Sequence, residues 1–396
     1  YTPAFTLAGG LPSANPVPDL NPGQALFQSP PFAATYAGYA PRIYNWNFTV
    51  EKGLGKNTVL RASYQGQAGV GLLAGREILN QVNPQYLSLG NLLTSPIGSA
   101  GAQAGVSKPW PGFPDSQSIA QALRPFPQYQ QFQHGVDADT TGHMTYHGFN
   151  IGAEHRYSSG LWVSAYYTFS KLITNTEGEN PALGGFIGNG DVGTQNAYDR
   201  RADKSISNQD IPHHVVLAYT YELPVGKGKR FLGGAHGVTQ AALGGWKLSA
   251  IQNYQTGYPL TVTSNRSTGL FSGTERANIV SGVPLINPAW NGDPKHAPYI
   301  NPAAFTRPAP FTFGNSPRDI PWLRTPNELN EDVTLGKQFP LFGEGRYLEF
   351  KASAFNIGNR VRFGKPDTGV ESATFGIVNS QANNPREVQL NLRLVF

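Results

Sequence analysis

Histidines and one basic run are the groups of this chain whose chemistry depends most on spacing. His143 and His147 stand four residues apart, but no Glu follows the first histidine and the segment leads into a strand pattern, so they do not fit a zinc-protease helix. His213 and His214 are neighbours in a strand pattern and therefore point to opposite faces, which prevents joint chelation. The basic run 227–230 lacks the spacing of a phosphate-binding loop. These groups predict no metal or phosphate site.

Other catalytic arrangements are equally weak. The acidic segments Glu177–Asn180 and Asn189–Asp191 carry oxygen ligands that suit calcium, yet neither has the spacing of a known calcium loop. The chain has no cysteine, which excludes disulfides, thiolate metal sites and cysteine nucleophiles. No serine-nucleophile motif, carboxylate pair or triad stands out. We therefore expect no enzymatic activity and no cofactor.

Composition indicates an ordered protein with long loops. Of 396 residues, 12% are aromatic and only 14% are charged, while glycine (46) and proline (32) are abundant. Basic residues (30) only slightly outnumber acidic ones (25) and are interleaved with them, so nucleic acid is not an expected partner. No run approaches the ~18 apolar residues that a spanning helix needs. Two classes stay open, a secreted all-β protein and an outer-membrane barrel, because barrel strands alternate apolar with polar residues.

Period-two alternation is the main structural signal, and it is clearest at the C-terminal end. There, Val388, Leu390, Leu392, Leu394 and Phe396 share one face, and Glu387, Gln389, Asn391 and Arg393 share the other. The same alternation predicts strands over 346–358, 213–223 and 161–173, and more weakly over 43–51, 58–67, 146–157, 246–263 and 331–339. Among the prolines only Pro259 falls inside these nine segments, as expected for residues that cannot donate to a ladder.

Short and long connections alternate along these strands. The short ones are Lys52–Asn57, Ser158–Gly160 and Pro340–Gly345, with 224–245 intermediate; the long ones are 68–145, 174–212, 264–330 and 359–385. This alternation favours an antiparallel transmembrane β-barrel with short periplasmic turns and long extracellular loops. Residues 1–42 would then be the tail of an extracellular loop, and 43–396 would supply barrel strands. Because single-chain bacterial barrels have an even number of strands, nine strands predict the C-terminal part of a longer protein.

Six segments add a family resemblance. In order, residues 44–69 (YNWNFTVEKGLGKNTVLRASYQGQAG), 146–171, 209–234, 244–265, 299–308 (YINPAAFTRP) and 352–366 resemble the C-terminal barrel of Oar-like TonB-dependent receptors. The resemblance implies an outer-membrane barrel of about 22 strands with a plugged lumen, of which this chain would supply nine. It also implies four partners besides membrane lipid: an N-terminal plug, the remaining strands, TonB acting through that missing part, and the barrel-assembly machinery.

The two faces of the last strands define the candidate site residues. The terminal strand resembles a barrel-assembly signal formed by Val388, Leu390, Leu392, Leu394 and Phe396. The opposite face supplies six lumen-facing candidates: Glu349, Lys351, Ser353, Gln389, Asn391 and Arg393. Aromatic residues near strand ends suit an interfacial girdle: Trp46, Tyr157, Trp162, Tyr219, Tyr221, Trp246 and Tyr347.

Three functions follow from these patterns. The first is the barrel part of a TonB-dependent receptor that takes up an unidentified ligand. The second is a structural or adhesive surface barrel without active transport. The third is a secreted β-sandwich that binds glycans through its aromatic residues.

Overall fold

The protein is described by a computed structural model that covers residues 21–32, 40–72, 80–130, 133–134, 140–157, 160–176, 194–264, 275–341 and 345–396. Nine long strands dominate these residues: β1 (Arg42–Leu54), β2 (Thr58–Leu72), β3 (Gly142–Arg156), β4 (Leu161–Thr174), β5 (His213–Glu222), β6 (Trp246–Gln255), β7 (Glu328–Pro340), β8 (Tyr347–Phe355) and β9 (Glu387–Val395). All nine coincide with segments whose alternation predicts a strand, so the all-β prediction is confirmed.

The nine strands form one antiparallel sheet in chain order. Strands β2 to β8 each pair with the strand before and the strand after them, and the two-residue strand Ser205–Ile206 extends the sheet beside the end of β4. Within the described part of the chain, β1 pairs only with β2 and β9 only with β8. The sheet is therefore open, with two unpaired edges.

Antiparallel pairing in chain order places the connections at two ends of the sheet. Residues 55–57, 157–160, 223–245 and 341–346 join strands at one end, called here the short-connection end. Residues 73–141, 175–212, 256–327 and 356–386 join strands at the other, called the long-connection end. The acidic segments Glu177–Asn180 and Asn189–Asp191, whose spacing fits no known calcium loop, lie outside the described residues.

The prediction of a single strand over 246–263 is wrong in its second half. Strand β6 ends at Gln255, and the following residues form two separate ladders: Pro259–Leu260 pairs with Ile320–Arg324, and Thr263–Ser264 pairs with Glu275–Arg276. Pro259 therefore lies in a two-residue ladder of the loop and outside the main sheet. It was the one proline inside a predicted strand, and its position is explained because that part of the prediction is wrong.

Helices and further short strands occur in the connections. The α-helices are α1 (Ile97–Ala104), α2 (Ile119–Ala122) and α3 (Gly237–Leu243). The 3-10 helices span Pro22–Ala25, Pro84–Thr94, Arg200–Asp203 and Pro302–Ala304, and the remaining short strands pair Pro31–Phe32 with Gln133–His134 and Asn278–Ile279 with Phe305–Thr306. Within the described ranges, no helix has the length and apolar character needed to cross a membrane.

The largest buried apolar clusters lie in the long connections, away from the sheet. One cluster centres on Leu260, Ile300 and Leu323, which are 1% exposed or less, and draws on the third and fourth long connections. A second centres on Leu93, Phe113 and Ile119 within the first long connection. The loops at the long-connection end are therefore folded bodies with cores of their own.

Candidate functional site: the two sheet faces and the loop layer

Ladder register assigns every strand residue to one of two faces, because directly paired residues point to the same side. One face, called here the apolar face, carries mainly aliphatic and aromatic side chains. One row across it runs from Leu390 through Ala352, Leu335, Leu248 and Tyr221 to Leu161. Its aliphatic side chains are exposed in β9, where Leu390 and Leu392 are 68% and 66% accessible. An exposed apolar surface of this size is typical of a site that contacts membrane lipid or another protein.

Four of the five candidate assembly-signal residues lie together on this face. Val388, Leu390, Leu392 and Leu394 pair with Ala354, Ala352, Phe350 and Leu348. Phe396 follows the end of β9 and is 94% exposed. The apolar side chains of β8 and β9 thus form a continuous stripe.

The six lumen-facing candidates share the opposite face, called here the polar face. Three ladder pairs bring them together: Glu349 with Arg393, Lys351 with Asn391, and Ser353 with Gln389. Lys351 Nζ lies 2.9 Å from Glu349 Oε2, and the hydroxyls of Ser353 and Thr334 are 2.9 Å apart. The predicted sidedness of these residues matches the register; their contact with a barrel lumen stays a prediction.

Polar contacts continue across the whole polar face. Arg61 donates to Glu51 through Nε and Nη2 at 2.9 and 2.6 Å, and Asn150 donates to Thr168 at 2.8 Å. Further pairs connect the other strands: Gln67 with Asn45, His214 with Asn253, and Thr220 with Ser249. Alternation assigns each of these residues to a face, but the cross-strand partners depend on register, so sequence analysis missed the pairs.

One glycine shapes the polar face at a close approach. A Cβ at Gly152 would meet the ring of Tyr166 at 2.2 Å, so glycine lets that ring lie across the neighbouring strand. The Tyr166 hydroxyl then donates to Glu154 at 2.5 Å.

The register corrects two members of the predicted aromatic girdle. Trp46, Tyr219, Tyr221 and Trp246 lie on the apolar face. Trp162 pairs with Thr220, and Tyr347 pairs with Val395, so these two rings belong to the polar face. The alternation of β4 and β8 already contained this signal, because each ring is out of phase with the apolar residues of its own strand.

Buried ion pairs connect the loops at the long-connection end. Arg276 Nη2 lies 2.5 Å from Asp203 Oδ1, with both side chains at most 3% exposed. Arg324 Nη2 lies 2.6 Å from Asp210 Oδ2, which joins the loop after β6 to the segment before β5. Burial lowers the pKa of the Arg276 guanidinium, while the charge of Asp203 opposes this shift. The pairs hold the second and third long connections together.

A third pair and two buried hydroxyls extend this arrangement. Arg318 lies 3.3 Å from Asp319, donates to the backbone carbonyl of Thr174 at 3.1 Å and contacts the hydroxyl of Ser205. Tyr299 donates its hydroxyl to the carbonyl of Arg324, and burial raises the pKa of Tyr299 to about 12. Apart from the adjacent Arg318 and Asp319, these partners are far apart in sequence, so composition and alternation carried no signal for them.

A cavity of about 780 Å³ opens beside the ends of β3 and β4 at the long-connection end. Its lining combines basic side chains (His143, Arg200, Arg201 and Lys204) with the apolar side chains of Ile173, Met144 and Pro125. Within the residues that the structure describes, no three histidine, aspartate or glutamate side chains are grouped to hold a metal ion. The cavity can therefore admit a small anionic or amphipathic molecule.

Comparisons with known proteins give a family match and a set of similar solved structures. Residues 1–389 match the family model described as an outer membrane beta barrel domain. No curated protein matches the chain. Similar solved structures include the outer membrane transporter YddB from Escherichia coli (10% identity, TM-score 0.43) and the FrpB iron transporter from Neisseria meningitidis, F3-3 variant (13% identity, TM-score 0.37). Each alignment covers 92% of this chain but only 34% and 32% of those chains, so the chain spans about a third of their length.

Proposed function

This chain belongs to the outer membrane beta-barrel domain family, and we propose that it forms the C-terminal part of the wall of a TonB-dependent receptor. Family membership makes it a protein of the bacterial outer membrane, which rules out the secreted β-sandwich. The proposed activity is energised uptake of a ligand through a barrel that further strands complete and a separate plug domain fills.

The open, ordered sheet is the observation that carries this proposal. Nine sequential antiparallel strands leave β1 and β9 unpaired on one side each within the described residues. Unpaired strand edges cannot face the hydrocarbon core of a membrane, because their backbone groups would lack hydrogen-bond partners. In the proposed wall, further strands pair with both edges, and an odd number of them makes the total even.

The two faces support distinct roles in such a wall. The apolar face, with its exposed stripe on β8 and β9, suits contact with lipid tails. The polar face carries Glu349, Lys351 and Arg393, charged groups that a water-filled or plugged lumen can accommodate. In this arrangement Gln389, Asn391 and Ser353 contribute uncharged hydrogen-bonding groups to the same surface.

The folded loops suit a role in ligand capture. Buried cores and ion pairs hold the described parts of the long connections together. In the proposed orientation these loops face the cell exterior, and the short-connection end faces the periplasm. The same rigid loops also favour the second candidate, an adhesive surface barrel that needs no energy coupling.

Binding to TonB separates the two candidates. The native protein, purified from outer membranes in detergent, is mixed with the purified C-terminal domain of TonB, and complex formation is measured by sedimentation. We expect a complex whose formation requires the N-terminal part of the protein. Failure to bind TonB, with the barrel intact, would favour the adhesive barrel.

Cysteine accessibility tests the wall assignment separately. Because this chain contributes no cysteine of its own, Ser353→Cys and Ala352→Cys place single thiols on opposite faces at adjacent positions of β8. In lipid vesicles, a water-soluble maleimide is expected to label Ser353→Cys and to spare Ala352→Cys. The reverse pattern would overturn the assignment of the faces.

A further inference from the structure

The connection between β5 and β6 is the longest at the short-connection end and has a defined fold. The backbone N–H of Phe231 donates to Pro224 at 2.9 Å, that of Gly226 donates to Phe231 at 2.9 Å, and that of Gly228 donates to Gly233 at 3.0 Å. Helix α3 follows, and the Gln240 side chain accepts from the backbone N–H of Lys227 at 2.6 Å. The turn and α3 therefore form one unit, called here the 224–245 hook.

Lys337 shows where this hook lies relative to the sheet. By register Lys337 belongs to the apolar face, between Trp246 and Phe350, where an uncompensated charge is unfavourable in a bilayer. Its side chain is nevertheless 5% exposed. Lys337 Nζ donates to the carbonyls of Ala241 and of Gln240, the latter at 3.3 Å, in the last turn of α3.

Aromatic contacts complete this attachment. Lys337 Nζ lies 5.5 Å from the ring centroid of Trp246 and 4.9 Å from that of Phe339, and Trp246 Nε1 donates to the carbonyl of Ala242 at 2.9 Å. The C-terminal turn of α3 is thereby held against the apolar face. The apolar face contacts lipid in a membrane barrel, so the hook lies on the lipid-facing side of the wall. An ordinary turn would instead extend past the ends of the strands.

The outer surface of the hook carries apolar side chains together with cations. Four large apolar side chains are about half exposed or more: Phe231 at 54%, Leu232 at 49%, Leu243 at 51% and Val238 at 84%. Lys227, Lys229 and Arg230 are exposed on the same connection, where Lys229 lies 3.3 Å from Glu222 and Arg230 stacks over Phe231 at 5.5 Å. Exposed apolar groups beside clustered basic groups are typical of segments that lie in a membrane interface.

We propose that the 224–245 hook is an interfacial anchor that binds anionic phospholipid. Its apolar side chains enter the acyl boundary, and Lys227 and Arg230 contact the lipid phosphates. The surface continues the lipid-facing apolar face, and its excess of positive charge selects anionic over zwitterionic lipid. In the orientation of the proposed function, the lipid is that of the periplasmic leaflet; the anchoring itself does not depend on transport.

Depth measurement tests the apolar half of this proposal. Val238→Cys and, as a control, Ser281→Cys in a long connection are labelled with an environment-sensitive fluorophore in the native protein reconstituted into vesicles. We expect blue-shifted emission that brominated acyl chains quench at position 238, and water-like emission at 281. Water-like emission at both positions would overturn the proposal. Leu243→Cys repeats the test at an independent site of the hook.

Lipid selectivity tests the charged half. Relative binding of spin-labelled phosphatidylglycerol and phosphatidylcholine is measured for the native protein, for the Lys227→Gln/Arg230→Gln double variant and for the control Lys295→Gln. Each cation contributes about 1 kcal/mol near an anionic surface, so the double variant should lose about 30-fold in preference for phosphatidylglycerol. Unchanged selectivity would overturn the lipid assignment, whereas TonB binding, which tests the proposed function, is expected to be unaffected by these substitutions.

Discussion

Placing one charge on each face of β9 is the sharpest perturbation that the sheet offers. Leu392 lies on the apolar face, one residue from the middle of Glu387–Val395, and Gln389 lies on the polar face of the same strand. Because Leu392 is 66% exposed within the chain, its replacement removes little internal packing. The cost of Leu392→Arg therefore arises almost entirely from placing the guanidinium against lipid.

The magnitude follows from the depth of the residue. A basic side chain near the bilayer midplane on a lipid-facing position costs ~2–4 kcal/mol, which lowers the folding equilibrium constant about 30- to 900-fold. Gln389→Arg places the same side chain beside Ser353, on a face that already carries Arg393 and Lys351. We expect that variant to change the free energy of unfolding by less than about 1 kcal/mol.

The assay is equilibrium unfolding in lipid vesicles, in which tryptophan fluorescence is recorded as the denaturant concentration increases. The folded fraction of each variant in outer membranes is measured as well. Leu392→Arg should shift the midpoint strongly and reduce assembly, while Gln389→Arg should resemble the unsubstituted protein. Equal effects of the two substitutions, or a larger effect of Gln389→Arg, would refute the assignment of the two faces.

Three further predictions concern the loop layer. Arg276→Ala removes the closer of the two guanidinium groups beside the buried Asp203 carboxylate, while Arg200 Nε stays 3.5 Å from Asp203. The loss should therefore be smaller than the ~3–5 kcal/mol of a fully unpaired buried charge, but it should increase hydrogen exchange in the second and third long connections. Unchanged exchange would contradict the role of this pair. Leu323→Ala in the larger loop core should lower the free energy of unfolding of the loops by ~2–5 kcal/mol, measured by limited proteolysis. The circular dichroism signal of the strands should persist. Loss of the strand signal as well would show that the loops and the sheet unfold together. The pKa of Tyr299 is raised to about 12 from 10.0, so its neutral form stabilises the folded loops below pH 10 and this stabilisation is lost as pH rises toward 12. Spectrophotometric titrations of the native protein and of Tyr299→Phe should agree near pH 10 and differ by one ionising tyrosine near pH 12. A difference that already appears near pH 10 would contradict the burial of Tyr299.

Alternation predicted the sheet because the property it reports is local. Each strand of a two-faced sheet repeats its face every second residue, so alternation alone groups Val388 with Leu394 and Leu348 with Ala354, and the ladder register places all four on one face. The same rule cannot locate the end of a strand. In 246–263 the apolar residues continue past Gln255, although the backbone leaves the sheet for the loop layer at that point.

The loop layer escaped sequence analysis for the opposite reason. Its pairs join residues far apart in the chain, such as Asp203 with Arg276 and Asp210 with Arg324. A buried aspartate and a solvated one look alike in sequence, and only the fold brings the guanidinium beside it. Lys337 is a comparable case. In the sequence it interrupts the apolar pattern of β7, and only the fold shows that carbonyls in the last turn of α3 accept hydrogen bonds from it.

The mass of the native protein in its membrane tests the central claim most directly. The protein is solubilised from purified outer membranes in detergent, and its intact mass is measured together with that of any chain that copurifies. We expect an outer-membrane species much heavier than the 42.8 kDa of these 396 residues, because β1 and β9 require further strands. A membrane species of 42.8 kDa with no companion chain would contradict the account, since its nine strands would then have to close on themselves.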